Sequence, residues 1–115
     1  MCAFGHISSA VMDAVFKAIG DPSRRRLMDR LFEEDGLTLG ELSTCLPGMT
    51  RFGVMRHLRV LEDAGLVSTR KVGREKHHYL NAAPIAEIQR RWIGKYAESV
   101  VGRMAAVKST AEGRA

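Results

Sequence analysis

Apolar residues recur along this chain at helical spacing, broken by three clear stops. From about Ser8 to Ile19 they fall at Val11, Val15 and Ile19, and again at Met12 and Phe16. Both series step by three or four, so the pattern predicts a helix with apolar surface on more than one side. Gly20 ends it. Asp21 then caps a second helix, with Pro22 at its first position, where a missing N–H costs nothing. Leu27, Met28, Leu31 and Phe32 are its expected buried side, and Glu33-Glu34-Asp35-Gly36 is an acidic stop. Thr38-Leu39-Gly40-Glu41 has the form of a capping box opening a short third helix, with Leu39, Leu42 and Leu46 toward the core. Pro47-Gly48-Met49 breaks the pattern, and Thr50 is the expected cap of a fourth helix. Along it Val54, Leu58, Leu61 and Gly65 lie within about 40° of one another at 100° per residue, which defines an inner face.

The period then changes. Leu66–Val72 and Lys76–Asn81 alternate and are rich in β-branched and aromatic residues, with Val72-Gly73-Arg74-Glu75 between them, the pattern of a β-hairpin. Pro84 opens a last helix, in which Ile85, Ile88, Trp92, Tyr96, Val100, Met104 and Val107 repeat every three or four residues. A continuous helix from 84 to 107 would be roughly 36 Å long. So long a stripe exceeds what one small core can cover. Together with the spare side of the first helix it predicts a dimer interface that includes Val11, Val15, Ile88, Trp92, Tyr96, Val100 and Met104. Residues 1–7 and the small, polar stretch 108–115 are expected to be flexible ends of a single domain spanning 1–115.

Two short helices around a tight break, followed by a hairpin, define a winged helix-turn-helix: mainly α, with a β-hairpin wing. Charge sharpens that reading. The net charge is +5, but residues 1–47 carry 5 basic and 7 acidic side chains, and residues 48–81 carry 7 basic and 3 acidic. The positive excess begins at the fourth helix, where a phosphate backbone needs it. The outer face of that helix presents Arg51, Phe52, Met55 and Arg56 as candidate base readers. An arginine grips guanine O6 and N7 with two hydrogen bonds, and Phe52 or Met55 suits a thymine methyl. Arg59 lies further along and is expected at phosphate; Thr50 and His57, which points sideways, complete the candidate set on this helix. On the hairpin, Arg70, Lys71, Arg74 and Lys76 are placed to follow the backbone or the minor groove. Of Arg24, Arg25 and Arg26, one or two at most address a common surface.

Other chemistry is poorly served. The two cysteines, Cys2 and Cys45, form neither a C-x-x-C pair nor a disulfide framework. There is no nucleophile–base pair, glycine-rich phosphate loop or carboxylate cluster, so no enzyme and no cofactor are expected. No apolar run spans a bilayer and no signal-peptide pattern is seen, which points to a cytoplasmic protein without membrane association.

The segments Gly20-Asp-Pro-Ser-Arg-Arg-Arg-Leu27, Leu39-Gly-Glu-Leu42 and His57-Leu-Arg-Val-Leu-Glu-Asp-Ala-Gly-Leu-Val67, with Gly73-Arg-Glu-Lys76 and Tyr79-Leu-Asn81, resemble the ArsR/SmtB family of bacterial repressors. Arg51–Leu58 and Arg91–Tyr96 look like a non-metal subgroup often encoded beside small SRPBCC-type proteins. The resemblance implies a homodimer joined through its first and last helices that binds a palindromic, inverted-repeat operator in double-stranded DNA and represses transcription. Both metal sites usual in that family are broken. Ser43 and Leu46 stand where a metal-sensing third helix carries cysteine and aspartate, and no histidine follows His78. A thiol- or metal-responsive repressor would draw on Cys2, His6 and Cys45; a winged helix that binds protein is the other alternative. The inducer and the operator are not written in the sequence.

Overall fold

The computed structural model describes residues 8–113, with side chains for 8–103. Cys2, His6 and the side chain of Met104 therefore lie outside the described residues. The chain divides into two compact units, Met1–Ile85 and Ala86–Ala115.

In the first unit, α1 spans Ser9–Ile19 and α2 Pro22–Glu33. The Ser8 hydroxyl accepts from Val11 N–H, and Asp21 accepts from the Ser23 and Arg24 N–H groups. A two-residue strand β1, Leu37–Thr38, leads into α3, Leu39–Ser43. The capping box is present in both directions: Glu41 N–H donates to the Thr38 hydroxyl, and the Glu41 carboxylate accepts from Thr38 N–H. α4 spans Arg51–Asp63, with the Thr50 hydroxyl accepting from Gly53 N–H at 3.1 Å. Its inner face is the core: Val54, Leu58 and Leu61 are buried with Leu27, Leu31, Leu42 and Leu66. Gly65 stands outside the helix, contrary to the continuous inner face read from spacing. Its φ is +77°, and the N–H groups of Gly65 and Leu66 donate back to Glu62 and Leu61, closing a Schellman turn. This turn sets the angle at which the chain leaves α4 for the hairpin. A Cβ at Gly65 meets open space, so Gly65→Ala strains only the backbone. We predict a loss of about 1–2 kcal/mol in chemical denaturation.

Strands β2, Val67–Val72, and β3, Glu75–Leu80, form the hairpin, paired from Val67↔Leu80 to Val72↔Glu75. Gly73 has φ +64° at the first of the two turn positions, as a type II′ hairpin turn requires. The sheet has three strands, in the order β1-β3-β2. The base of the wing is pinned by Leu37↔His78 and Thr38↔His77. Both histidines serve this joint. His77 Nδ1 donates to the Gly36 carbonyl at 2.8 Å, and His78, 3% exposed, donates from Nδ1 to the Leu37 carbonyl at 2.9 Å.

Two expectations about packing change. Phe32 is 81% exposed: it sits about 140° around α2 from Leu27 at 100° per residue, beyond the buried stripe of Leu27, Met28 and Leu31. Val15, expected at a dimer interface, is wholly buried in the single chain and leaves nothing for a partner to cover. The second side of α1 is carried by Val11, 44% exposed.

The second unit continues from α5, Ala83–Ile88, through a π-helical turn, Gln89–Ile93, into α6, Gly94–Gly113. The sequence predicts one regular helix ending near 107. Instead Gly94 N–H bonds to Gln89 O, five residues back, and the helix runs past 107. The wider turn takes in one residue more than an α-turn, and so brings residues four apart into line. Trp92 and Tyr96 meet edge to face with ring centroids 5.5 Å apart. Tyr96, Val100 and Val101 are exposed, whereas Ile88 is 2% exposed and, like Val15, offers no surface. Among the described residues no helix is long and apolar enough to cross a membrane.

Candidate nucleic-acid interface

The N-terminal half of α4 presents the side chains read as base contacts. Arg51, Phe52, Met55 and Arg56 are exposed, Phe52 at 79%. Most of that apolar ring is left uncovered by the described residues. Arg59 is exposed two turns after the start of the helix. On the wing, Arg70, Lys71, Arg74 and Lys76 are exposed. Arg70 lies over the Tyr79 ring, 5.9 Å from its centroid, which steadies a long side chain along the strand. Lys76 Nζ is 3.3 Å from Glu62 Oε1, joining the wing to the outer side of α4.

These two elements share one surface. Arg51 from the start of α4, with Arg74 and Lys76 from the wing, line a depression of about 300 Å³ together with Thr38, Leu39, Gly40 and Glu75. Three cations against the one carboxylate of Glu75 leave the concavity positive, which suits a polyanion that passes between helix and wing.

His57 is placed differently from the other candidates. It faces α2, not the outer surface, and its side chain is 18% exposed. Arg24 Nη1 donates to His57 Nδ1 at 3.1 Å, while Nε and Nη2 of the same guanidinium donate to the Ala18 and Lys17 carbonyls at 2.7 and 2.8 Å. A guanidinium has no acceptor, so His57 Nδ1 accepts and its hydrogen sits on Nε2, 4.0 Å from Asp21 Oδ2. Burial works to raise the Asp21 pKa. The Arg24 and Ser23 N–H groups and the neighbouring His57 and Arg24 outweigh it, so the carboxyl titrates below its ordinary value. His57 is thus a positioning residue for α4. Sequence spacing alone gave no sign of this: Arg24 and His57 are 33 residues apart. Arg25 is also engaged internally, through Ile19 O, which leaves Arg26 as the exposed member of the triplet without such a bond among the described residues. Arg24→Ala removes three hydrogen bonds that tie the end of α1 to α4. We predict a fall in stability of about 1.5–3 kcal/mol in urea titration, part of it restored in Arg24→Lys.

Cys45 is half-buried, and its thiol donates to the Leu42 carbonyl at 3.0 Å. Burial pushes its pKa up, which keeps sulfur protonated and a poor metal ligand or nucleophile near neutrality. Among the described residues no three His, Cys, Asp or Glu side chains are grouped to hold a metal ion.

A three-stranded wing behind an exposed, cationic second helix defines a winged helix-turn-helix regulator of transcription that binds DNA. The known proteins agree. A family of helix-turn-helix domains matches residues 19–70. The uncharacterized HTH-type transcriptional regulator YuzN of Bacillus subtilis (strain 168) is 41% identical, over 70% of this chain and 94% of its own. The transcriptional repressor SdpR of the same organism is 30% identical, over 66% and 82%. An ArsR-like transcriptional regulator from Rhodococcus sp. RHA1 superposes with a TM-score of 0.69 at 31% identity, covering 90% of this chain and 93% of that one. The chain belongs to the ArsR family of winged helix-turn-helix transcription regulators. These relatives are regulators, not enzymes, in line with the reading of the sequence.

Proposed function

We propose that two copies of this chain bind one two-part inverted repeat in double-stranded DNA and repress transcription there. The observation that carries this is the depression shared by Arg51, Arg74 and Lys76. It allows a phosphate strand to lie along the wing at Arg74 and Lys76 while Arg51, Phe52, Met55 and Arg56 enter the major groove beside it. Pairing of two copies is supported by the apolar side chains left open on single helices: Val11 on α1, and Tyr96, Val100 and Val101 on α6, with Trp92 just before it. Two such chains related by a two-fold axis place their α4 helices about 34 Å apart, one turn of the duplex. A repressor of this kind works in the cytoplasm of its cell, needs no membrane, and on this reading needs no cofactor.

The test is selection of bound duplexes from a random pool, followed by sedimentation of the protein with the selected DNA. The expected result is an inverted repeat with half-site centres about 10 base pairs apart and two 12.7 kDa chains per duplex. A non-repeated site bound by one chain would overturn the dimeric reading; recovery of no preferred sequence would overturn specific recognition.

A further inference from the structure

Glycine is a costly choice in the first turn of α4. Only proline is a poorer helix former, and Gly53 makes no use of glycine's freedom: among the described residues the glycines at positive φ are Gly36, Gly65 and Gly73. What the position requires is space. A Cβ on Gly53 would lie 2.6 Å from Met49 Cγ and 3.1 Å from Met49 Sδ. The half-buried Met49 side chain thus crosses α4 where a side chain of residue 53 would begin. Cγ is only the second carbon of that chain, so a swing of the methyl end does not clear it. Clearance needs rotation about the Met49 Cα–Cβ bond or a shift of the backbone. The backbone is tied on both sides. Met49 N–H donates to the Leu46 carbonyl at 3.0 Å, closing the turn after α3. Thr50, the next residue, caps α4 by accepting from Gly53 N–H at 3.1 Å. Cap and seat meet at one residue: the Gly53 N–H serves Thr50, and its bare Cα takes Met49.

From this we infer that Gly53 is a specificity-determining position that acts through Met49 and touches no base itself. Seated on Gly53, Met49 fixes the turn against α4 and so the pitch at which the helix presents Arg51, Phe52, Met55 and Arg56. Arg51 and Phe52 lie between Met49 and Gly53 in the chain, so a shift of the turn reaches them first. Contacts of this kind have to be held to roughly 0.5 Å. Lys71 on the wing, a point charge on a flexible stem, follows a phosphate through a shift of that size. Loss of the seat therefore costs discrimination between sequences before it costs general affinity for DNA. That consequence rests on the reading of DNA by α4 proposed above.

The test is a double-mutant cycle of Gly53→Ala and Met49→Ala in the full-length protein, with anisotropy on the selected duplex and on a scrambled one. Gly53→Ala should weaken binding to the selected duplex about tenfold, within the coupling range of touching residues. Binding to the scrambled duplex should change less than about twofold. Met49→Ala, which empties the seat, should lose affinity severalfold with the same selectivity. In that background Gly53→Ala should cost less than about twofold more. It should there raise the melting temperature, as alanine for glycine does in an unobstructed helix; beside the native Met49 it should not. Undiminished preference for the selected duplex in Gly53→Ala, equal losses on both duplexes, or the same loss with and without Met49 would each overturn the role of Gly53. Where Gly53→Ala does not fold alone, Met49→Ala carries the test, and full selectivity in that variant overturns the seat. A native protein that prefers no duplex would count instead against the proposed function.

Discussion

Alanine at both Arg51 and Arg56 should lower affinity for a selected site by roughly 2–6 kcal/mol, taking about 1–3 for each arginine and near-additivity. Both side chains are exposed on the outer face of α4, so the melting temperature should hardly change. The loss should be much smaller on a scrambled duplex, because base contacts discriminate and phosphate contacts do not. Lys71→Ala and Arg74→Ala on the wing should behave in the opposite way. They should weaken all sequences alike, each reducing the slope of log affinity against log salt by about 0.9 if its charge meets a phosphate. Fluorescence anisotropy on the two duplexes at several salt concentrations separates these patterns. Equal losses on both duplexes for the Arg51/Arg56 pair would remove them from base reading.

Leu58→Ala should cost about 2–5 kcal/mol of stability, a large part of the roughly 5–15 kcal/mol of a typical domain. Leu58 is 2% exposed, between Val54 and Leu61, both wholly buried, and α4 packs against α1, α2, α3 and β2. DNA binding should fail in parallel, since the same helix carries the readers on its other side. Leu58→Met nearly conserves volume and should cost less than about 1.5 kcal/mol. Denaturant titration of the two variants checks the claim, and a loss below about 1 kcal/mol in Leu58→Ala would contradict the packing described.

Much of this was legible because local chemistry and hydrophobic period agreed. Asp21-Pro22, the Thr38–Glu41 box and Thr50 each mark a helix start in the sequence, and each accepts the backbone hydrogen bonds expected of it. The alternation from 66 to 81 and Gly73 define the hairpin in the same way. What escaped was long-range or too short to have a period. β1 is two residues long and exists by pairing with β3, 40 residues on. Phe32 looks buried by spacing because it stands four after Met28, yet the stripe had already turned away. Periodicity cannot tell which side of α1 faces its own core, and so it counts Val15 among the residues open to a partner. His57 lies on the flank of α4, and only the fold brings Arg24 to it. The π-turn at 89–93 has no sequence mark beyond the four-residue spacing of Ile88, Trp92 and Tyr96, which an α-helix carries equally well.

The central claim is that the first half of α4 lies in the major groove with an arginine on guanine. Methylation protection at guanine N7 on the selected duplex tests it directly, because N7 lies in that groove alone. The account predicts guanines protected in each half-site by the native protein, with at least one of them reopened by Arg56→Ala while its neighbours stay covered. Unprotected N7 atoms throughout a duplex that the protein demonstrably occupies would contradict it.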